Sequence, residues 1–242
     1  MSTDKGTLNP KFLKDFIENF GARYSEILGI KLEGGVEEEI FKWFLASILF
    51  GAPIRESTVI KTYRQFEERG ILTPESILGT GWHGLVLILD DGGYARYDFK
   101  TADKLLEVMK NLIERYDGKL TQVHFSASDP QNLEDKLKNL GKGIGAVTVN
   151  IFLRELRGIW GKAKPNPAGH VTLAAGNLGI IVEDSSKGVL QQLEEFWLSN
   201  AIPGKSFVNF ESALLRLGRD FCRKRKCLKC PAIGNCIQFR MV

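Results

Sequence analysis

All four cysteines of this 242-residue chain fall within fifteen residues near its C-terminal end, spaced Cys222-x4-Cys227-x2-Cys230-x5-Cys236. Four thiols on one short loop either share a partner or sit reduced side by side. Disulfides need an oxidising compartment. The start, Met1-Ser2-Thr3-Asp4-Lys5-Gly6, lacks the apolar core of a signal peptide, which points to a reducing, cytoplasmic setting. A metal partner is then expected. Four-thiolate zinc sites usually pair two C-x2-C knuckles across a longer insert, whereas a [4Fe–4S] cluster takes four thiolates and tolerates them on one compact loop. The spacing alone leaves zinc and iron–sulfur open.

Charge is gathered at the same place. The net charge of +4 is mild, but Arg216–Arg240 carries eight basic residues against Asp220 alone, leaving the remainder with 25 basic and 28 acidic residues. Arg223-Lys224-Arg225-Lys226 lies inside the cysteine loop, so a metal would tether it on both sides. That favours a phosphate contact over a freely solvated charge run. With 43% apolar and 26% charged residues the composition is globular, and no apolar run has the ~18–20 residues of a membrane span.

Elsewhere helical periodicity dominates. Asn9-Pro10 reads as a cap and first-turn proline, with Phe12, Phe16, Ile17 and Phe20 on one face. From Val36 onward Ile40, Phe41, Phe44, Leu45, Ile48 and Leu49 are apolar almost all round, the pattern of a central helix. Further helices are expected at Val59–Phe66, after Thr73-Pro74, at Leu105–Tyr116, after Asp129-Pro130, and at 147–156, 189–198 and 210–217. Leu85–Leu89 followed by Asp90-Asp91-Gly92-Gly93 also fits a β-hairpin turn, although its flanks read as helical. The fold class is all-α, with about ten helices.

Between two of those helices lies Leu140-Gly141-Lys142-Gly143-Ile144-Gly145. Glycines two apart reverse the chain tightly and leave backbone N–H groups open to an anion. The helix that follows adds its positive end. Such a hairpin suits a DNA phosphate and binds duplex without reading sequence. Alone, the same residues read more readily as a plain helix–helix turn.

Taken together, the glycine hairpin and the C-terminal cysteine loop resemble the helix-hairpin-helix DNA glycosylase superfamily, in its endonuclease III-like branch. Gly143-Ile144-Gly145 with Thr148 is similar to the family's hairpin. Leu217-Gly218-Arg219 before Cys222 is similar to its lead into the cluster, and Phe41–Leu49 to the helix that opens its barrel. Cys227-x2-Cys230-x5-Cys236 matches the last three family ligands, while the first gap is four residues rather than the usual six. The resemblance spans about 35–240. It implies a six-helix barrel domain over 35–160 and a terminal helical domain from 1–34 and 161–242. It also implies a [4Fe–4S] cluster on Cys222, Cys227, Cys230 and Cys236, and a monomer acting on double-stranded DNA at the nucleoid, with no membrane partner. The DNA contacts it implies are Lys142, Gly143, Ile144 and Gly145, the loop Arg223, Lys224, Arg225 and Lys226, and a wedge at 92–97 in which Tyr94 or Tyr97 fills the gap of an extruded base.

The catalytic positions depart from the family. The lysine that attacks the sugar C1′ is replaced by Val147, read as a buried aliphatic side chain that cannot be a nucleophile. The aspartate that stabilises the oxocarbenium-like sugar is replaced by Ala168, with uncharged Asn166 nearby. The expectation is a DNA-binding relative of the base-excision glycosylases, recognising damaged or distorted duplex, without strand-cleaving lyase activity. Two alternatives stay open: a catalytically silent binding module, and a glycosylase using a relocated carboxylate such as Asp90, Asp91 or Asp98.

Overall fold

The computed structural model describes residues 8–182 and 184–240, so the polar start Met1–Gly6 lies outside them. Described residues form helices and no strand. In chain order these are α1 (Pro10–Phe20), α2 (Tyr24–Ile27), α3 (Glu37–Phe50), α4 (Glu56–Glu68), α5 (Pro74–Asp91), α6 (Asp98–Tyr116), α7 (Leu120–Ser126), α8 (Pro130–Lys138), α9 (Ala146–Glu155), α10 (Gly169–Asn177), α11 (Val189–Asn200) and α12 (Phe207–Leu217). The chain divides into two compact units, Ser25–Pro165 and the pair Met1–Tyr24 with Asn166–Val242. Segment 25–34 thus belongs with the larger unit.

In the larger unit α3 is the axle. Ile40, Phe41, Trp43, Phe44, Leu45, Ile48 and Leu49 are all buried, and each large apolar side chain stabilises by about 1.5–3 kcal/mol when removed from water. Trp43 Nε1 donates to the Phe152 carbonyl at 3.0 Å, and Ser47 Oγ donates to the Trp43 carbonyl at 2.7 Å, so both buried polar groups are satisfied. Glu37 starts α3 and accepts from the Leu120 and Thr121 amides at 2.6 and 2.9 Å, capping α7 from a distance. Where α3 ends, a Cβ on Gly51 would stand 2.2 Å from Thr148 Oγ1. Glycine there lets α3 meet the start of α9 directly.

The stretch considered for a β-hairpin is instead the second half of α5 and its end. Leu85, Ile88 and Leu89 are buried while Leu87 is 65% exposed, which is helical spacing rather than strand alternation. The two glycines serve packing and chain reversal. A Cβ on Gly92 would overlap Thr62 of α4, and Gly93 has φ +86°. Gly81, at φ 68° and ψ 172°, kinks α5.

In the smaller unit α1 buries Leu13, Phe16 and Ile17 against Val171, Ala174, Leu178, Phe210, Leu214 and Leu217. Arg216 ties the ends of the chain together: its guanidinium donates to the carbonyls of Phe20 and Ala22 at 2.7 and 2.6 Å and stacks 4.4 Å above the Tyr24 ring. A Cβ on Gly218 would fall 1.9 Å from the His170 carbonyl oxygen, so the residue after α12 must be glycine for α10 to pack there. Gly218–Cys222 then continues α12 as a π-helical turn that delivers the first cysteine.

Candidate nucleic-acid interface

The glycine hairpin joins α8 to α9 as its sequence suggests. Asp129 caps α8, accepting from the Asn132 amide at 2.8 Å. At the other end Leu137 and Leu140 are buried, and Ile144 is 4% exposed, plugging the turn into the core. Gly143 turns the chain at φ +89°. Gly145 is extended at φ −101° and ψ 179°, occupying the cap position of α9 with no side chain to satisfy the helix's first amides. Nothing lies within 4 Å of where a Cβ on Gly145 would stand. Lys142, Gly143, Gly145 and Ala146 are exposed. The result is a rigid, backbone-lined positive corner with open space before it. Ile144 contributes its backbone there and its side chain to the core.

The hairpin is strapped to α6 by residues that sequence reasoning did not single out. Asn111 Nδ2 donates to the Leu140 carbonyl at 2.8 Å and Arg115 donates to that of Asn139 at 3.1 Å. A Cβ on Gly141 would meet Val108 at 2.7 Å, and one on Gly143 would meet Lys104 Cε at 2.8 Å. The signal was present as the spacing of 104, 108, 111 and 115 on one helical face, but nothing in the sequence says which element that face meets.

Val147, in the first turn of α9, is 63% exposed and not buried as its chemistry suggested. The first turn looks outward because Thr148 and Val149 take the inward positions. The aliphatic side chain still offers no amine or thiol. In the smaller unit Ala168 is the cap residue of α10, extended at φ −62° and ψ 150°, and no side chain caps that helix. Ala168 supplies neither a charge nor a cap at this helix start.

Two solved structures share this architecture. A trapped endonuclease III–DNA covalent intermediate, in an estranged-adenine complex, is 18% identical with a TM-score of 0.52, over 97% of this chain and 99% of that one. A non-covalent endonuclease III–DNA complex is 19% identical with a TM-score of 0.54, over 97% and 98%. The fold is that of endonuclease III. No family model and no curated protein matches the chain.

On this endonuclease III fold Tyr94 is not a wedge residue. Tyr94 is fully buried and its hydroxyl donates to the Leu49 carbonyl at the end of α3. Burial pushes its pKa far up. A phenol committed to the core cannot stack on a base, and Tyr97 packs edge-on against it at 6.3 Å. Of the carboxylates considered as replacements, Asp90 and Asp91 are exposed and Asp98 is half-buried. Asp91 pairs with Arg69 at 2.7 Å, Asp98 accepts from the Phe99 amide at 2.7 Å, and desolvation followed by the neighbouring Asp98 carboxyl pushes Asp90 up.

The four cysteines, all reduced, line one cavity of about 290 Å³ together with Asn177, Phe221, Ile233, Gln238 and Phe239. Burial pushes the Cys222 thiol up, opposed by a hydrogen bond with Asn177 and added to by the neighbouring thiols; burial likewise raises Cys230. Among the described residues no group of three or more His, Cys, Asp or Glu side chains is placed to hold a metal ion. Arg223, Lys224, Arg225 and Lys226 project from the loop into solvent, the turn secured by Arg225 at φ 51°. Lys224 pairs with Asp220 at 3.4 Å. Asp220 is also held by Arg219, whose hydrogen bonds keep its carboxyl below the usual range. No helix among the described residues is long and apolar enough to cross a membrane.

Proposed function

We propose that the protein binds damaged or distorted double-stranded DNA as a monomer, as a relative of the base-excision glycosylases that lacks the family's lyase step. One observation carries this reading: the hairpin has an open, glycine-lined turn and an uncapped helix start, and Val147, at the position the resemblance assigns to the attacking amine, is an exposed alkyl side chain. Backbone N–H groups and a positive helix end hold phosphate without regard to sequence. An alkyl side chain beside the sugar adds no nucleophile and no proton acceptor. The loop Arg223–Lys226 supplies the second set of phosphate contacts in this reading.

The donor set of the cysteine loop, rather than the present spacing of its sulfurs, supports a [4Fe–4S] cluster. Its donors are four thiols and nothing harder, lining one mainly apolar cavity, which is the donor set such a cluster takes. Zinc would draw all four sulfurs to about 2.3 Å from a single ion, whereas a cluster accepts them around a wider body. When bound, the cluster staples the loop and so fixes its basic residues.

Fluorescence anisotropy tests the reading, with an intact duplex and one bearing a tetrahydrofuran abasic-site analogue. Binding should be tighter to the abasic duplex, and log K should fall linearly with log salt. No binding to either duplex at 50 mM salt would overturn it.

A further inference from the structure

Besides Arg115, the seam between α6 and the hairpin holds two charged side chains that form no ion pair among the described residues, Lys104 and Glu107, the latter with Cδ 3.5 Å from where a Cβ on Gly141 would stand. Asn111 and Arg115 donate to hairpin carbonyls, and Val108 fills the space beneath Gly141. Lys104, next along the same face, lays its stem against Gly143, with Cε 2.8 Å and Nζ 3.5 Å from where a Cβ would stand. Its side chain is partly buried, and it forms no ion pair among the described residues. Burial holds its pKa below the ordinary lysine value.

A partly desolvated ammonium without a counter-ion is unfavourable. If packing under Gly143 were the only need, leucine or methionine would meet it without that cost. The hairpin that Lys104 touches at Gly143 carries further groups suited to an anion. Gly143, Gly145 and the uncapped start of α9 offer N–H donors, and Lys142 adds a second exposed cation. We propose that Lys104 is a backbone-phosphate ligand, its ammonium reaching past Gly143 to the phosphate that the hairpin amides hold. Gly143 is then glycine for two reasons, its positive φ and the passage of the lysine stem beneath it.

This inference rests on the DNA-binding reading, and the two fail differently. With the full chain and the abasic-analogue duplex, Lys104→Met should weaken binding about tenfold near 100 mM salt and lower the salt slope by about 0.9, the value of one phosphate contact. Lys104→Arg should keep the wild-type slope. Wild-type binding with an unchanged slope in Lys104→Met overturns the role of Lys104 alone; absence of wild-type binding overturns both readings. Lysine acetylation footprinting of the unmutated protein is independent of any folding defect. Duplex should protect Lys104 from acetic anhydride, and equal labelling with and without saturating duplex would overturn the proposal.

Discussion

Gly143 and Gly145 are two residues apart in the hairpin, yet alanine should affect them in opposite ways. At Gly143 a Cβ is strained by φ +89° and meets the Lys104 stem. Alanine there should cost about 1–3 kcal/mol, read by urea denaturation. At Gly145 the backbone is extended and the space is empty, so alanine should leave stability within about 0.5 kcal/mol of wild type. It should still weaken duplex binding, because the new methyl stands where phosphate approaches. Equal effects of the two variants on affinity and stability would show that the turn is structural only. Ala168 gives a second residue-level test with no DNA present. It is extended at the start of a helix that lacks a side-chain cap, so Ala168→Asp should stabilise the protein by about 0.5–2 kcal/mol at neutral pH. A loss of stability would mean that the backbone cannot accept a cap there.

At the level of elements, the sequence was most legible where periodicity and caps agree. Asn9-Pro10, Thr73-Pro74 and Asp129-Pro130 all open helices, with side-chain oxygens of Asn9, Thr73 and Asp129 on the expected amides. The largely apolar stretch Ile40–Leu49, interrupted by Lys42 and Ser47, is the buried axle. Asp90-Asp91-Gly92-Gly93 misled because the same glycines that suit a tight hairpin also suit close helix packing and a left-handed exit. Tyr94 misled for a related reason: its place in the chain says loop, while only the three-dimensional contact with Leu49 says core. Val147 was misjudged because an aliphatic side chain in a first turn carries no sign of which way it faces. The cysteine loop gives the element-level prediction. The purified protein should be brown, with about four irons per chain, and Cys227→Ser should lower the iron content while far-ultraviolet circular dichroism stays helical. A colourless, folded protein carrying one zinc would contradict the cluster.

Across the whole molecule, the fold follows from helical patterning, while the proposed function rests on the glycine hairpin and the basic cysteine loop. The charge map makes one global prediction. Replacing Arg223, Lys224, Arg225 and Lys226 together by alanine should flatten the salt dependence of duplex binding by up to ~3–4 units. The lower end is expected, since Lys224 is already engaged with Asp220. An unchanged slope would show that the loop does not face DNA. The most direct test of the central claim, a retained hold on DNA without the attacking amine, is borohydride trapping on a duplex containing an abasic site. Under conditions where anisotropy shows full binding, the wild-type protein should form no covalent adduct and leave the strand intact. Val147→Lys with Ala168→Asp should yield a trapped complex, because Val147 is exposed and a lysine there has room to reach the sugar. A wild-type protein that cross-links on reduction would contradict the account.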